Sequence, residues 1–175
     1  MRAQIADQHS NQKDWVVGGQ SFTFDDLRAS QFCLAPSGWG WGWRLQLAMV
    51  TQCVPVIIQP NMTQPFEDLI PYETFAIKMG TAGIPNLPET LRAVSDEAMC
   101  RMQTNLAKYY RALLWQRTHG PGHPSAYDLT MLSLCNRAKR LRKQHLAHTA
   151  RGETWLARHE LNCAETLEAA GLSFE

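Results

Sequence analysis

Gly38, Gly40 and Gly42 alternate with Trp39, Trp41 and Trp43, and Arg44 follows directly. Glycine admits backbone conformations closed to other residues and lets a ligand come close to the main chain. A helix that opens near Gly42 aims its free N–H groups and the positive end of its dipole back at this turn, an arrangement suited to a phosphate or diphosphate. Arg44, in the first helical turn, adds a forked cation to the same anion. The competing reading is a tight strand-to-helix connection with no ligand, since glycine spacing alone has many false matches. The three tryptophans fit either picture, packing on a core or stacking on a base or sugar.

The flanking sequence predicts the elements that hold this turn. Thr23 is a plausible N-cap, with Asp26 in the first turn of a short helix carrying Leu27. Gln31 to Ala35 reads as a short strand, and Trp43 to Gln52 as a helix with Leu45, Ala48 and Met49 at helical spacing. Cys53 to Gln59 is apolar and β-branched, as expected of a central parallel strand, with Pro55 near its start because proline cannot donate to a ladder. Strand, glycine turn, helix and strand make a βαβ unit. Phe75 to Met79 reads as another short strand and Leu87 to Val94 as a helix with Pro88 in its first turn. The fold class is therefore α/β, a partial Rossmann-like domain with a short parallel sheet followed by a helical C-terminal half.

In that half Ser95 caps a run whose Met99, Met102, Leu106, Tyr109 and Leu113 share one face, ending near Trp115. His119 to Pro124 breaks the chain. Ser125 caps the next helix with Asp128 three residues on, and Leu129, Leu132, Cys135 and Leu141 form its apolar stripe. Glu153 to Ala170 reads as a last helix stopped by Gly171. Residues 1–20 are polar, turn-like at Gly18-Gly19, and read as a loose lead-in.

Composition narrows the function classes. A chain of 175 residues suggests one domain, and a net charge of +1 gives no global pull toward nucleic acid or acidic membranes. No apolar h-region opens the chain, and no stretch approaches the ~18 apolar residues that span a bilayer. Five cysteines, with no Cys-x-x-Cys pair, are neither a zinc framework nor a dense disulfide scaffold. Cys33 and Cys53 lie in apolar strands and are expected as free, buried thiols. Arg137 to Lys143 is strongly basic and reads as a solvated helix face with Leu141 turned inward; an RNA or acidic-glycan contact is the other reading, and no nucleic acid is expected as a partner. His119 with His123, and His145 with His148, have metal-site spacing, but no cysteine or carboxylate cluster completes either, so no metal is expected.

Several separate motifs, in one order, carry a resemblance. Ser30 to Leu45 (SQFCLAPSGWGWGWRL), Ala48-Met49, Cys53 to Ile58 (CVPVII), Gln64 to Leu69 (QPFEDL), Pro71-Tyr72-Glu73, Phe75, Ile84 to Leu87 (IPNL), Trp115 and Ala126 to Leu134 resemble the exostosin glycosyltransferase family. The resemblance runs over residues 21–137, leaving 1–20 as lead-in and 138–175 as a helical extension. It implies two Rossmann-like domains facing across a cleft, the GT-B arrangement, with the C-terminal domain holding a UDP-sugar whose sugar passes to a glycan acceptor with inversion. It implies no metal or other cofactor; the UDP-sugar is the donor substrate, and helix dipole and basic side chain stabilise the leaving diphosphate.

Carried over by position, Ser37, Gly38, Gly40 and Gly42 form the diphosphate turn, Arg44 is the cationic partner, and Glu67 accepts hydrogen bonds from ribose or donor-sugar hydroxyls. Glu67 as a surface carboxylate and Arg44 as a plain surface arginine are the alternatives. Two departures stand out: Gln59-Pro60 where many members carry an acid, and Gln52 where glycine is common. The acceptor domain and the first strands of the donor domain are expected to be missing from this chain, so no general base is assigned. A half-sheet of this kind leaves an open edge and an uncovered apolar face, calling for a protein partner, a different packing of the C-terminal helices, or a longer chain. The family implies the Golgi lumen. The alternative function is a non-catalytic exostosin-like remnant that binds a nucleotide, a glycan or a protein.

Overall fold

The computed structural model describes residues 1–17, 22–38, 43–115 and 124–148, the last five of these by helix backbone alone. Gly18-Gly19, Trp39 to Gly42, His119, His123 and the helix expected at Glu153 to Ala170 lie outside the described residues, as do the side chains of His145 and His148. The chain divides into two compact units, Met1–Tyr110 and Arg111–Glu175.

In the first unit the elements run α1 (Arg2–His9), α2 (Phe24–Ala29), β1 (Phe32–Pro36), α3 (Trp43–Val50), β2 (Val54–Ile58), β3 (Ile77–Lys78), α4 (Leu87–Arg92) and α5 (Asp96–Tyr109), with short 3-10 turns at Tyr72–Thr74 and Thr81–Asn86. The three strands form one parallel sheet in the order β1-β2-β3. This is the α/β, partial Rossmann-like unit that the strand, turn, helix, strand pattern predicts.

Local chemistry sets most boundaries. Thr23 and Asp26 form a reciprocal capping box on α2, which satisfies two orphan donors at once. Ser95 caps α5 by accepting from the Ala98 amide. Pro55 sits in β2 without a lost ladder bond. The Val54 amide donates to Gln31 of the β1 side, so residues 55 and 57 face β3, and β3 pairs only from Val56 onward. At the other end of α3, Gln52 adopts φ 59°. Its amide reaches the Met49 carbonyl while that of Cys53 reaches Ala48, a Schellman closure whose left-handed residue favours glycine. The departure at Gln52 therefore carries a backbone cost.

Two expectations are corrected here. The lead-in is not loose: residues 2–9 form α1, with Ile5 and His9 buried. Met1, Ile5 and His9 recur every four residues, which puts them on one face. Ile5 packs with Val56, Ile58, Ile84, Leu87 and Leu91, and Met1, Trp15 and Val17 border the same cluster. The His9 Nε2 lies 2.7 Å from the Ile84 carbonyl. The apolar face thought to be uncovered is therefore covered by α1 and α4, and every residue of β2 is buried.

The second correction concerns Cys33 and Cys53, which form a disulfide with Cα atoms 5.7 Å apart. The register pairs Phe32 with Val54 and Cys33 with Pro55. Cys53 thus stands beside β1 at the spacing a disulfide needs. The bridge lies under α3, in a cluster with Ala48 and bordered by Leu27.

The second unit holds a 3-10 turn from Tyr110 and α6 (Ala126–His148). Ser125 caps α6, with its amide and hydroxyl both on the Asp128 carboxylate. Leu129 and Leu132 are buried as the stripe predicts, but Leu141 is 54% exposed rather than turned inward. Cys135 is disulfide-bonded. No helix among the described residues is long and apolar enough to cross a membrane.

Candidate functional site

In an open parallel sheet the crevice outside the carboxyl ends of the strands is where ligands bind. Here those ends present Ser37-Gly38 after β1, Gln59-Pro60 after β2 and Met79-Gly80 after β3. A cavity of about 270 Å³ opens there, lined by Ile57, Gln59, Pro60, Met62, Gln64, Lys78, Met79 and Gly80. Two cationic regions flank the strand ends, one at the glycine turn and one at Lys78.

At the turn, the Ser37 amide extends the β1–β2 pairing to the Ile58 carbonyl at 3.0 Å, and its hydroxyl points to the Met1 sulfur at 3.4 Å. Gly38 is not in a left-handed conformation; what it supplies is room. A Cβ added there would fall 2.8 Å from the Arg2 Cζ and closer still to Nη2. Gly38 thus leaves room for the Arg2 guanidinium, which a side chain there would displace, and serves no positive φ. Gly40 and Gly42, like Trp39 and Trp41, lie outside the described residues. Trp43 opens α3 and is 66% exposed, so its indole does not fill the core.

Arg44 is half-buried in the first turn of α3, its guanidinium carbon 5.1 Å from the centre of the Phe22 ring. Burial, and secondarily the charge of Arg2, depress its pKa from the ordinary arginine value. Arginine stays protonated in proteins regardless, so the shift reports a cation short of solvent and close to another cation. Sequence reasoning missed Arg2 because the leading residues look polar and unstructured; the four-residue step of Met1, Ile5 and His9 was the available signal.

At the other end, Glu67 follows Phe66, which holds φ 55°, an uncommon conformation for a bulky residue. The Glu67 carboxylate accepts from the Gln64 amide at 2.7 Å through Oε2 and pairs with Lys78 through Oε1. The Lys78 ammonium and the Gln64 amide hold its pKa below the usual carboxylate value. Lys78 also lies 5.7 Å over the Tyr72 ring. The buried Tyr72 hydroxyl, pushed upward by burial, donates to the Pro65 carbonyl at 2.8 Å. Glu67 is thus pinned beside two residues of the cavity lining, Gln64 and Lys78.

The pH consequence has a definite sign. A carboxylate with a depressed folded pKa contributes stability above its unfolded value and loses it as pH falls through the folded value. Because this pair is partly exposed, at 40% and 32% for the two side chains, its share is at most about 1 kcal/mol. Denaturation midpoints measured from about pH 6 down to 3 should fall less steeply in Glu67→Gln; an unchanged acid slope would remove this pair from the account.

Gln59 explains the missing acid. Its Nε2 donates to the Ala35 carbonyl at 3.1 Å and its Oε1 accepts from Gln64 at 3.3 Å. Both groups are buried. A carboxylate cannot donate to Ala35, so the amide of Gln59 suits the bond it makes here.

A parallel βαβ unit whose strand ends open on one crevice defines an α/β domain of partial Rossmann-like type. The chain matches the exostosin GT47 domain over residues 1–94, more than half its length, and belongs to that family. It is 33% identical over 112 residues to a probable glycosyltransferase of Arabidopsis thaliana, At5g25310, covering 63% of this chain and 23% of that protein. Identity is 34% over 102 residues to the probable beta-1,4-xylosyltransferase IRX10 of the same plant, covering 57% and 25% respectively. It is 37% over 86 residues to the probable glucuronosyltransferase GUT1 of Oryza sativa subsp. japonica, covering 49% and 21%. The chain thus spans about a quarter of the length of these relatives or less.

Proposed function

We propose that this chain is the donor-binding part of an exostosin-type glycosyltransferase. It receives a UDP-sugar at the carboxyl ends of β1, β2 and β3, with the diphosphate at the Ser37-Gly38 turn and the opening of α3. In the reaction an acceptor hydroxyl of a glycan attacks the anomeric carbon from the side opposite the diphosphate. The bond from that carbon to the phosphate oxygen breaks, its electron pair stays on the leaving UDP, and a general base takes the hydroxyl proton. Arg44 counters the charge that develops on the leaving group. No residue of this chain is assigned as the base.

The observation that carries this reading is the half-buried Arg44 guanidinium in the first turn of α3, within electrostatic reach of Arg2, which itself lies against Gly38 after β1, backed by membership of the family. The Cys33–Cys53 disulfide supports work in an oxidising compartment, as the Golgi lumen expected of the family would be.

Calorimetric titration of the purified chain with UDP is expected to give saturable binding that Arg44→Ala weakens about ten- to hundredfold, the range for a hydrogen bond to a charged group. Binding unchanged in Arg44→Ala would move the anion elsewhere. A second reading, a non-catalytic binding module, is favoured by Gln59, whose amide is committed to Ala35 and Gln64 where many family members carry an acid. UDP binding by a longer form that contains the acceptor half, without sugar transfer to any glycan, would favour that module.

A further inference from the structure

We propose that Arg2, from the leading helix α1, is the second cation of this anion site, and that the Arg2–Arg44 pair selects a diphosphate over a single phosphate. The inference rests on the donor-site reading above and names a specificity-determining residue within it.

The geometry comes first. The Arg2 guanidinium lies against the bare backbone of Gly38, in the space a Cβ would fill. This places it at the carboxyl end of β1. Its backbone is held rather than trailing. Ile5 and His9, further along α1, are buried in the core, and the neighbouring Met1 receives the Ser37 hydroxyl. Arg2 itself stays exposed, so the guanidinium remains available to a ligand.

The charge pattern comes second. Arg2 lies close enough to Arg44 to disfavour the charge of Arg44. The ion pairs among the described residues join Arg28 to Asp25, Lys78 to Glu67 and Arg101 to Glu97, and include neither arginine. Arg44 rests on a ring face instead, which leaves its in-plane N–H donors free. Two like charges set together without an acid form an arrangement that an anion relieves. The diphosphate of a nucleotide sugar carries one negative charge on each phosphate, so it matches two guanidiniums. A monophosphate engages them less completely.

The 175-residue chain and its Arg2→Ala, Arg2→Lys, Gly38→Ala and Arg2→Ala/Gly38→Ala variants are titrated with UDP, UMP and inorganic pyrophosphate, with folding followed by thermal denaturation. Arg2→Ala is expected to weaken UDP about ten- to hundredfold and UMP far less, shrinking the preference for UDP. Arg2→Lys recovers only part of it, because an ammonium lacks the forked donors. Gly38→Ala acts by displacing the guanidinium, so it mimics Arg2→Ala and adds nothing to it in the double variant. Equal UDP affinity in Arg2→Ala and the unmutated chain, with Arg44→Ala still defective, overturns the role of Arg2 and leaves the donor site standing. Arg2-dependent binding of pyrophosphate, with UDP no better, supports the pair and removes the nucleotide. No binding of UDP or pyrophosphate by the unmutated chain overturns both.

Discussion

Replacing Cys33 and Cys53 together by alanine is expected to lower the free energy of unfolding by about 3 kcal/mol. The cysteines are 20 residues apart in sequence, and a closed loop of that size removes about this much chain entropy from the unfolded state. The loop contains the end of β1, Ser37, Gly38, Arg44 and all of α3, the residues of the proposed donor site. Breaking it frees the segment that carries the proposed donor site. A chain of this length should lose roughly 6–12 °C in Tm. The double alanine variant is the right comparison, because a reductant would also open the bridge at Cys135. Urea midpoints for the variant and parent that coincide at one denaturant concentration would mean that the bridge contributes nothing net.

The βαβ unit was legible because several independent cues agreed at each element. The Cys53 to Gln59 strand is an apolar, β-branched run, and β2 occupies Val54–Ile58 with all five residues buried. The caps at Thr23, Ser95 and Ser125 were readable because an oxygen-bearing side chain beside an acidic first turn has one economical use. What escaped was information carried by pairing in space. The disulfide depends on the β1–β2 register, and nothing in the spacing of Cys33 and Cys53 reveals that register. Helix α1 escaped because a single strong apolar residue, Ile5, anchors it, with Met1 and His9 completing the face. A helix so thinly marked is defined by the sheet that accepts it, not by its own pattern.

The site divides along the same line. Gly38 and Arg44 are read from residue type and spacing, Ser37 and Glu67 from the family resemblance, and the fold sets Ser37 and Gly38 at the carboxyl end of β1 with Arg44 in the first turn of α3. The roles of the side chains were less readable. The resemblance implies sugar hydroxyls as partners of Glu67; within the protein its partners are Lys78 and the Gln64 backbone amide. Lys78 lies eleven residues further on, at the end of a strand only two residues long, so no local pattern announces the pair. Gln59 looked like a loss when compared with an acid, yet its amide bridges β1 and the Gln64 loop in a way that an acid cannot.

Phe75→Ala should cost about 3–5 kcal/mol, a large part of the stability of a typical domain. Phe75 is fully buried between two rings, Tyr72 at 5.3 Å and Tyr109 at 5.6 Å between centroids. Tyr109 belongs to α5, and Asn105 of the same helix donates to the Thr74 carbonyl. The ring is therefore what fastens α5 to the segment after β2. Its removal leaves Tyr72 without its neighbour, and Tyr72 holds Pro65 through its hydroxyl and lies beneath Lys78. The Glu67–Lys78 pair should loosen, while the Arg44 end, packed through Leu45, Ala48 and Met49 of α3, should not. Urea unfolding measures the first effect and UDP titration at low temperature the second. The variant should be strongly destabilised yet bind UDP better than Arg44→Ala does. A loss below about 1 kcal/mol would mean that the surroundings collapse into the space, and a UDP defect as deep as that of Arg44→Ala would mean that the two ends of the site move together.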